Sequence, residues 1–273
     1  MPRSPSNTRD MFHTANDILQ PTQARERSRQ HFLVPIERHG QKWVDLWEGG
    51  EFLPWDKGMA NPALVDLLKQ QKESPIFVAH DFKSGTKTAL VPGCGRGYDV
   101  LLLARYGYHA VGVDISAKAI DNAKEWIDNE IKRLRAAGEP LPTGRIDLIS
   151  GDFFKDDWVA KIGINVNGGF DVIYDYAFLV SLNPILRTKV AARMHQLLAP
   201  GKGVLIALEY PLFRPFETGG PPYGISSRDY DRLFGGRFLK ALHYMPKRTH
   251  KVGEGSDMVS VWVKRYFYRA SKF

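Results

Sequence analysis

The chain has 273 residues, is 43% hydrophobic, and carries a net charge of +8 from 38 Lys and Arg against 30 Asp and Glu. Such a chain fits one large α/β domain with extensions, and its ordinary apolar fraction excludes a disordered or fibrous class. It has no apolar run of membrane-spanning length, no signal-peptide core within Met1 to Gln30, and a single cysteine, Cys94, which excludes an internal disulfide and a multi-cysteine metal site.

A cytoplasmic location is therefore expected. Asp10, Asp17 and Glu26 among the N-terminal arginines argue against a mitochondrial presequence, and Ser271-Lys272-Phe273 matches a peroxisomal address only loosely. The pI of about 9.4 raises the question of a nucleic-acid partner. The basic residues are scattered among acids, with no dense run interleaved with aromatics. The expectation is no nucleic acid, no membrane, and a positive field that draws in a small anion. The eight histidines lack metal-ligand spacing, so no metal is expected. Nothing in the sequence sets an oligomeric state.

In chain order, residues 1–35 read as a polar start leading into a short helix or lid, and residues 36–60 as an entry segment rich in tryptophan, with Trp43, Trp47 and Trp55. Asn61-Pro62 is a helix start, with Asn as N-cap and Pro at the first helical position, and Ala63, Leu64, Leu67 and Leu68 give that helix one apolar face. Strand and helix signals then alternate. The strands are 88–91, 109–113, 146–150, 170–174 and 204–209. The helices are 99–106, a long one capped by Ser116 and running to about Ala137, and 184–198. Ala119, Ile120, Ala123, Ile127, Ile131 and Leu134 line one face of the long helix. A Pro/Gly/aromatic loop over 211–223 and a short helix near 227–234 precede two final strand-like runs, 237–244 and 258–268. In the second run Val259, Val261 and Val263 alternate with more polar neighbours. The fold class that follows is α/β: a Rossmann-like, seven-stranded, mostly parallel sheet with helices on both faces, plus an N-terminal helical lid. Residues 1–60 form the extension and lid, and 61–273 the main domain.

Four places carry the chemistry. Gly93, Gly95 and Gly97 follow the first strand, and Asp114 ends the second, which is the layout of a nucleoside-binding βαβ unit. Glycines admit a ligand close to the backbone, and the acid can accept ribose hydroxyls; capping the next helix is the competing role for Asp114. This motif alone fits a dinucleotide or S-adenosylmethionine. Asp152-Phe153 after the third strand separates them, because an acid for the adenine amine next to a ring for its face is what S-adenosylmethionine needs; core phenylalanines beside a turn acid are the alternative. Asp175 and Tyr176 end the fourth strand, at the sheet end where ligands bind in such folds; a buried aromatic cluster with one capping acid is the alternative. Trp43 and Trp47 lie one helical turn apart, and aromatic faces attract a sulfonium cation by roughly 0.5–2 kcal/mol per ring. Cys94 reads as a small residue in a tight turn rather than a nucleophile.

Together these residues resemble the class I S-adenosylmethionine-dependent methyltransferases. More narrowly they are similar to the thiopurine S-methyltransferase family and its plant and fungal halide/thiol methyltransferases. The resemblance runs from about Trp43 to Tyr223. It rests on Trp43-x-x-x-Trp47, Pro54-Trp55-Asp56-Lys57-Gly58, Leu90-Val91-Pro92-Gly93-Cys94-Gly95, Val113-Asp114-Ile115-Ser116, Gly151-Asp152-Phe153-Phe154, Phe170-Asp171-x-Ile173-Tyr174-Asp175-Tyr176 and Gly219-Gly220-Pro221-Pro222-Tyr223. It implies that Trp43, Trp47 and Trp55 enclose S-adenosylmethionine. Gly93 and Gly95 floor its amino-acid end, Asp114 holds its ribose, Asp152 and Phe153 its adenine, and Asp175 also lines the cofactor site. Tyr176 and Tyr223 lie near the methyl group and the acceptor. The chain departs from the family in extra length around 136–144 and 159–169.

The activity implied is in-line methyl transfer to a small soft nucleophile (halide, bisulfide, thiocyanate or thiol), leaving S-adenosylhomocysteine. Tyr176 and Tyr223 serve as hydroxyl donors to the anion. Rival readings are a methyltransferase of the same fold acting on a larger S- or O-nucleophile such as a secondary metabolite, a nucleic-acid-associated binding module, and a nicotinamide oxidoreductase.

Overall fold

The computed structural model describes residues 21–70, 87–162 and 168–265. The sheet is built from β1 (Thr88–Pro92), β2 (His109–Asp114), β3 (Ile146–Ser150), β4 (Val172–Tyr176), β5 (Val204–Glu209), β6 (Phe238–Tyr244) and β7 (Met258–Lys264). Their order is β3-β2-β1-β4-β5-β7-β6. β1 to β5 run parallel, and β7 lies antiparallel between β5 and β6. The chain builds outward from β1 to β3 and then returns to lay β4 against the other edge of β1. The crevice above that reversal is where open α/β sheets bind ligands. A nicotinamide-binding domain ends on a sixth parallel strand; here the sheet closes on an antiparallel pair.

Side chains alternate between two buried faces. Leu90, Val111, Ile173 and Leu205 enter one core with helices α7 (Arg187–Leu197) and α8 (Ser227–Phe234). Ala89, Ala110, Val172 and Val204 enter the other, with α3 (Pro62–Gln70) and α4 (Tyr98–Arg105). Strands covered on both sides read as near-continuous apolar runs for this reason. Helix α5 (Ala117–Ala136) packs along β2 and β3, with Ala119, Ile120, Ala123, Ile127 and Leu134 buried and Ile131 only half-buried. Both expected N-caps are present: Asn61 Oδ1 accepts from the Ala63 amide at 2.9 Å and Ser116 Oγ from the Ala119 amide at 3.2 Å.

Two elements are bounded differently from the sequence reading, and the last strand is buried on both faces. The fourth strand begins at Val172 rather than Phe170, because the Asp171 carboxylate accepts from the Thr88 amide and hydroxyl while Phe170 makes a separate bridge to Leu198. This sets Asp175 and Tyr176 on the last two positions of β4. The predicted helix over 184–198 divides into a 3-10 turn (Pro184–Leu186) capped by Asn183, followed by α7. The final strand hides both faces, with Ser260 and Trp262 as buried as Val259 and Val261: Trp262 enters the core that holds Phe234 of α8, while Val259 and Val261 enter the core on the other side. The predicted continuation of that strand through Tyr268, residues 1–20 and the C-terminal Ser271-Lys272-Phe273 lie outside the described residues.

N-terminal to the sheet, α1 (Pro21–His31) and α2 (His39–Gly49) precede α3. Among the described residues no helix is long and apolar enough to cross a membrane.

Candidate active site

The loop after β1 turns through left-handed backbone at Gly93 (φ 60°) and Gly95 (φ 51°), a region that costs other residues roughly 1–2 kcal/mol each. Space is short there as well. A Cβ at Gly93 would sit 2.7 Å from Cδ2 of Phe178, and one at Gly95 would sit 3.3 Å from Cζ2 of Trp47. Trp47 is buried against Leu53, Ala119 and the ring of Trp55. Trp55 in turn lies 5.1 Å edge-on from Trp43 and 5.9 Å from Trp47. The three tryptophans therefore form one cluster on the glycine loop. Asp56 joins the same two segments, accepting from the Arg96 Nε and, at 2.7 Å, from the Tyr98 hydroxyl.

Asp114 lies at the mouth of this loop, 7% exposed. Its Oδ2 accepts from the Gly95 amide at 3.1 Å and its Oδ1 from the Ser116 amide at 3.0 Å. A carboxylate has about four acceptor sites, so the backbone donors leave it capacity for a ligand hydroxyl. Capping falls to Ser116, which leaves Asp114 tied to the glycine loop. These observations suit a nucleoside cofactor: a floor with little room for a Cβ, and a buried carboxylate with acceptor capacity left over.

The family model for thiopurine S-methyltransferase matches residues 38–267. The chain belongs to the thiopurine S-methyltransferase family. It is an S-adenosylmethionine-dependent methyltransferase. Thiocyanate methyltransferase 1 of Brassica oleracea is 33% identical over 189 residues, 69% of each chain. Thiocyanate methyltransferase 1 of Arabidopsis thaliana is 30% identical over 228 residues, 81% of this chain and 84% of the relative. In fold the chain is similar to the N-methyltransferase NodS from Bradyrhizobium japonicum, solved in complex with S-adenosylhomocysteine. That match has a TM-score of 0.52 at 14% identity, and covers 83% of this chain and 98% of that one.

The other sequence-predicted residues of this methyltransferase fall in two places. Asp152 is half-buried and its Oδ1 accepts from the Phe154 amide at 2.9 Å, forming a tight turn. Phe153 is 5% exposed, and its ring lies 4.9 Å edge-on from Phe178, the residue that roofs Gly93. Asp175 caps the short helix α6 (Phe178–Ser181) through Leu179, at 3.1 Å, and its buried Oδ2 has no hydrogen-bond partner. Tyr176 points to the opposite side of β4. Its ring lies 5.9 Å from Tyr210 and 5.6 Å from His250, and the Asn61 amide reaches its hydroxyl. Tyr223 is half-buried, its amide donating to the Val180 carbonyl at 2.8 Å and its ring folded over Gly220.

Tyr210, Thr249, His250 and Asp257 near Tyr176 were not visible in the sequence. They come from three separate segments with no motif: Tyr210 follows β5, which pairs with β4, and the connection between β6 and β7 brings in Thr249, His250 and Asp257. Thr249 donates to Asp257 Oδ2 at 2.8 Å and sits 3.4 Å from Asn61. Asn61, read only as a helix cap, also donates its amide N–H to Asp99 at 3.1 Å.

Burial shifts the acids upward. Desolvation raises Asp114 and Asp175 to about 6 despite backbone donors, Asp257 to about 6, and Asp99 to about 7. These acids keep their protons to higher pH in the folded chain than in the unfolded one. Through these acids the folded state binds more protons from about pH 4 to 7, and their contribution to stability falls as pH rises through that window. Burial lowers His250 to about 4, so it is neutral at pH 7. Burial raises both Tyr176 and Tyr223, which keeps their hydroxyls protonated as donors. Desolvation, then the Asp114 charge, push the Cys94 thiol up, which suits a turn residue and not a nucleophile.

Proposed function

We propose that this methyltransferase alkylates a small soft nucleophile, such as thiocyanate, bisulfide, a halide or a simple thiol, by in-line displacement. The observation that carries the reading is the tryptophan cluster seated on Gly95, with Asp114 at the same loop and the Tyr176–Tyr210 aromatic wall at the neighbouring strand end. The names of the plant relatives support a small sulfur nucleophile as acceptor.

When bound, S-adenosylmethionine supplies an electrophilic methyl group on a sulfonium. In this reading Gly93 and Gly95 floor its amino-acid end, Asp114 accepts from the ribose hydroxyls, and Asp152 and Phe153 serve the adenine. Asp175 holds the α6 turn beside Gly93. Trp43, Trp47 and Trp55 face the cation and keep water out, so residues 1–60 act as a lid on a catalytic domain spanning 61–273. Tyr176 and Tyr223 donate to the incoming anion. Thiocyanate, a halide or an ionised sulfide already carries its lone pair and needs no general base from the protein, whereas a thiol reacts as the thiolate left after its proton is lost to solvent. Holding both reactants in line can lower the barrier by roughly 7–11 kcal/mol. The lone Cys94 supports a reducing, cytoplasmic setting.

Headspace gas chromatography tests the acceptor. With S-adenosylmethionine and thiocyanate, bisulfide or iodide, methyl thiocyanate, methanethiol or methyl iodide should accumulate well above the protein-free rate. Methylation of bulky thiols alone would move the assignment to a larger acceptor.

A pH series tests Asp114. Its carboxylate form accepts the ribose hydroxyls, and with its proton held to about pH 6, S-adenosylhomocysteine should bind about tenfold more weakly at pH 5 than at pH 7.5. A flat profile by calorimetry removes the ribose role.

A further inference from the structure

Three arginines converge outside the cofactor loop. Arg25 and Arg29 of α1 meet Arg214 at a pocket of about 100 Å³, also lined by Phe213, Gly219 and Gly220. The contact between α1 and this loop is close, since a Cβ at Gly219 would lie 3.5 Å from Cδ of Arg29. Arg29 is neutralised by Glu26, through paired hydrogen bonds of 2.9 and 2.8 Å. Among the described residues no carboxylate pairs with Arg25 or Arg214. Arg214 uses Nη1 on the Pro222 carbonyl, while its buried Nε has no hydrogen-bond partner. Like charges drawn together with a buried donor left over are costly unless a ligand completes them.

The pocket adjoins the proposed acceptor site in two ways. Phe213 lies 6.1 Å from Tyr210, which lies 5.9 Å from Tyr176, so an aromatic row links the two places. Gly220 lines the pocket and carries the Tyr223 ring on its other side, with Cγ 2.5 Å from where a Cβ would stand. A thiol placed at Tyr176 and Tyr223 would direct a short substituent toward the arginines.

We propose that Arg25 and Arg214, with Arg29 as part of the wall, form an anion subsite that receives the carboxylate of the acceptor, making a short thiol acid the preferred substrate class. The proposal rests on the methyl-transfer reading for the site of the sulfur. About 100 Å³ is the space of roughly three water molecules, enough for a carboxylate and too little for a second ring.

Calorimetry on the full chain with S-adenosylhomocysteine present separates the possibilities without requiring turnover. The probes are 3-mercaptopropionate, propanethiol and propionate. 3-Mercaptopropionate should bind at least about tenfold tighter than either of the others, because only it fills both places. Arg25→Glu, on an exposed helical position, should weaken 3-mercaptopropionate about tenfold, and Arg214→Gln should do the same if its loop stays folded. Equal binding of 3-mercaptopropionate and propanethiol overturns the subsite. Propionate binding as tightly as 3-mercaptopropionate also overturns it, showing an anion site unconnected to the acceptor. Failure of the methyl-transfer reading would show separately, as no methylated product from any thiol despite charge-selective binding.

Discussion

An Asp114→Asn variant is expected to bind S-adenosylhomocysteine about a hundredfold more weakly than the parent chain, a loss of ~3 kcal/mol. Asp114 accepts directly from the backbone of the glycine loop, through the Gly95 amide at 3.1 Å. The change removes a charge that hydroxyl donors would otherwise share, each such charge-assisted bond being worth about 1.5–3 kcal/mol. It also turns one oxygen into a donor. Since the Gly95 and Ser116 amides both point at the carboxylate, one of them would then face an N–H and the loop would lose its brace. The pH response separates this from general damage. The contribution of Asp114 to the parent's stability falls as pH rises from about 4 to 6, because folding holds its proton to about pH 6; the variant should lose that part of the slope. Calorimetric affinities within threefold of each other would sink the assignment, whatever the stability result.

Trp262→Ala is expected to cost about 3–5 kcal/mol of folding stability, the usual range for emptying a buried tryptophan site. For a chain of this size that is a fall of about 10 °C in Tm. Trp262 is 1% exposed, packs its ring 5.7 Å from Phe234 of α8, and donates from Nε1 to Ser260 Oγ at 2.9 Å. The truncation would leave both a cavity between β7 and α8 and a hydroxyl without its donor. Leu239→Ala on the neighbouring strand, at a side chain 58% exposed, should change stability by less than about 0.5 kcal/mol. Differential scanning calorimetry decides it: a drop of under 3 °C for Trp262→Ala would show that α8 is anchored elsewhere.

The two positions also mark how far local sequence reaches. Asp114 was legible because its role depends on neighbours in the chain: an apolar run, a glycine turn, a second apolar run and an acid at its end. Ser116 and Asn61 as caps, and the alternation of strands and helices through Glu209, follow from the same short-range rules. Trp262 was not legible in that way. A strand that alternates valine with polar residues reads as half-exposed, and only the docking of α8, with Phe234 against Trp262, covers its second face.

The sequence by itself determined the nucleotide-fold pattern, the glycine loop and its acid, and the tryptophan, Asp152-Phe153 and Gly-Gly-Pro-Pro-Tyr motifs that point to a methyltransferase. Each is a short segment whose backbone or spacing needs particular residues, so each is written locally. Only the tertiary structure decided that Trp47 sits on Gly95, that Asp175 and Tyr176 turn to opposite sides of β4, and that Thr249, His250 and Asp257 return to Asn61 and Tyr176. It also decided that Arg25 and Arg29, some 185 residues before Arg214 in the chain, close one pocket with it. Such contacts depend on strand order and helix docking, which are set by burial of the whole core and leave no periodic or motif signal in the residues that meet.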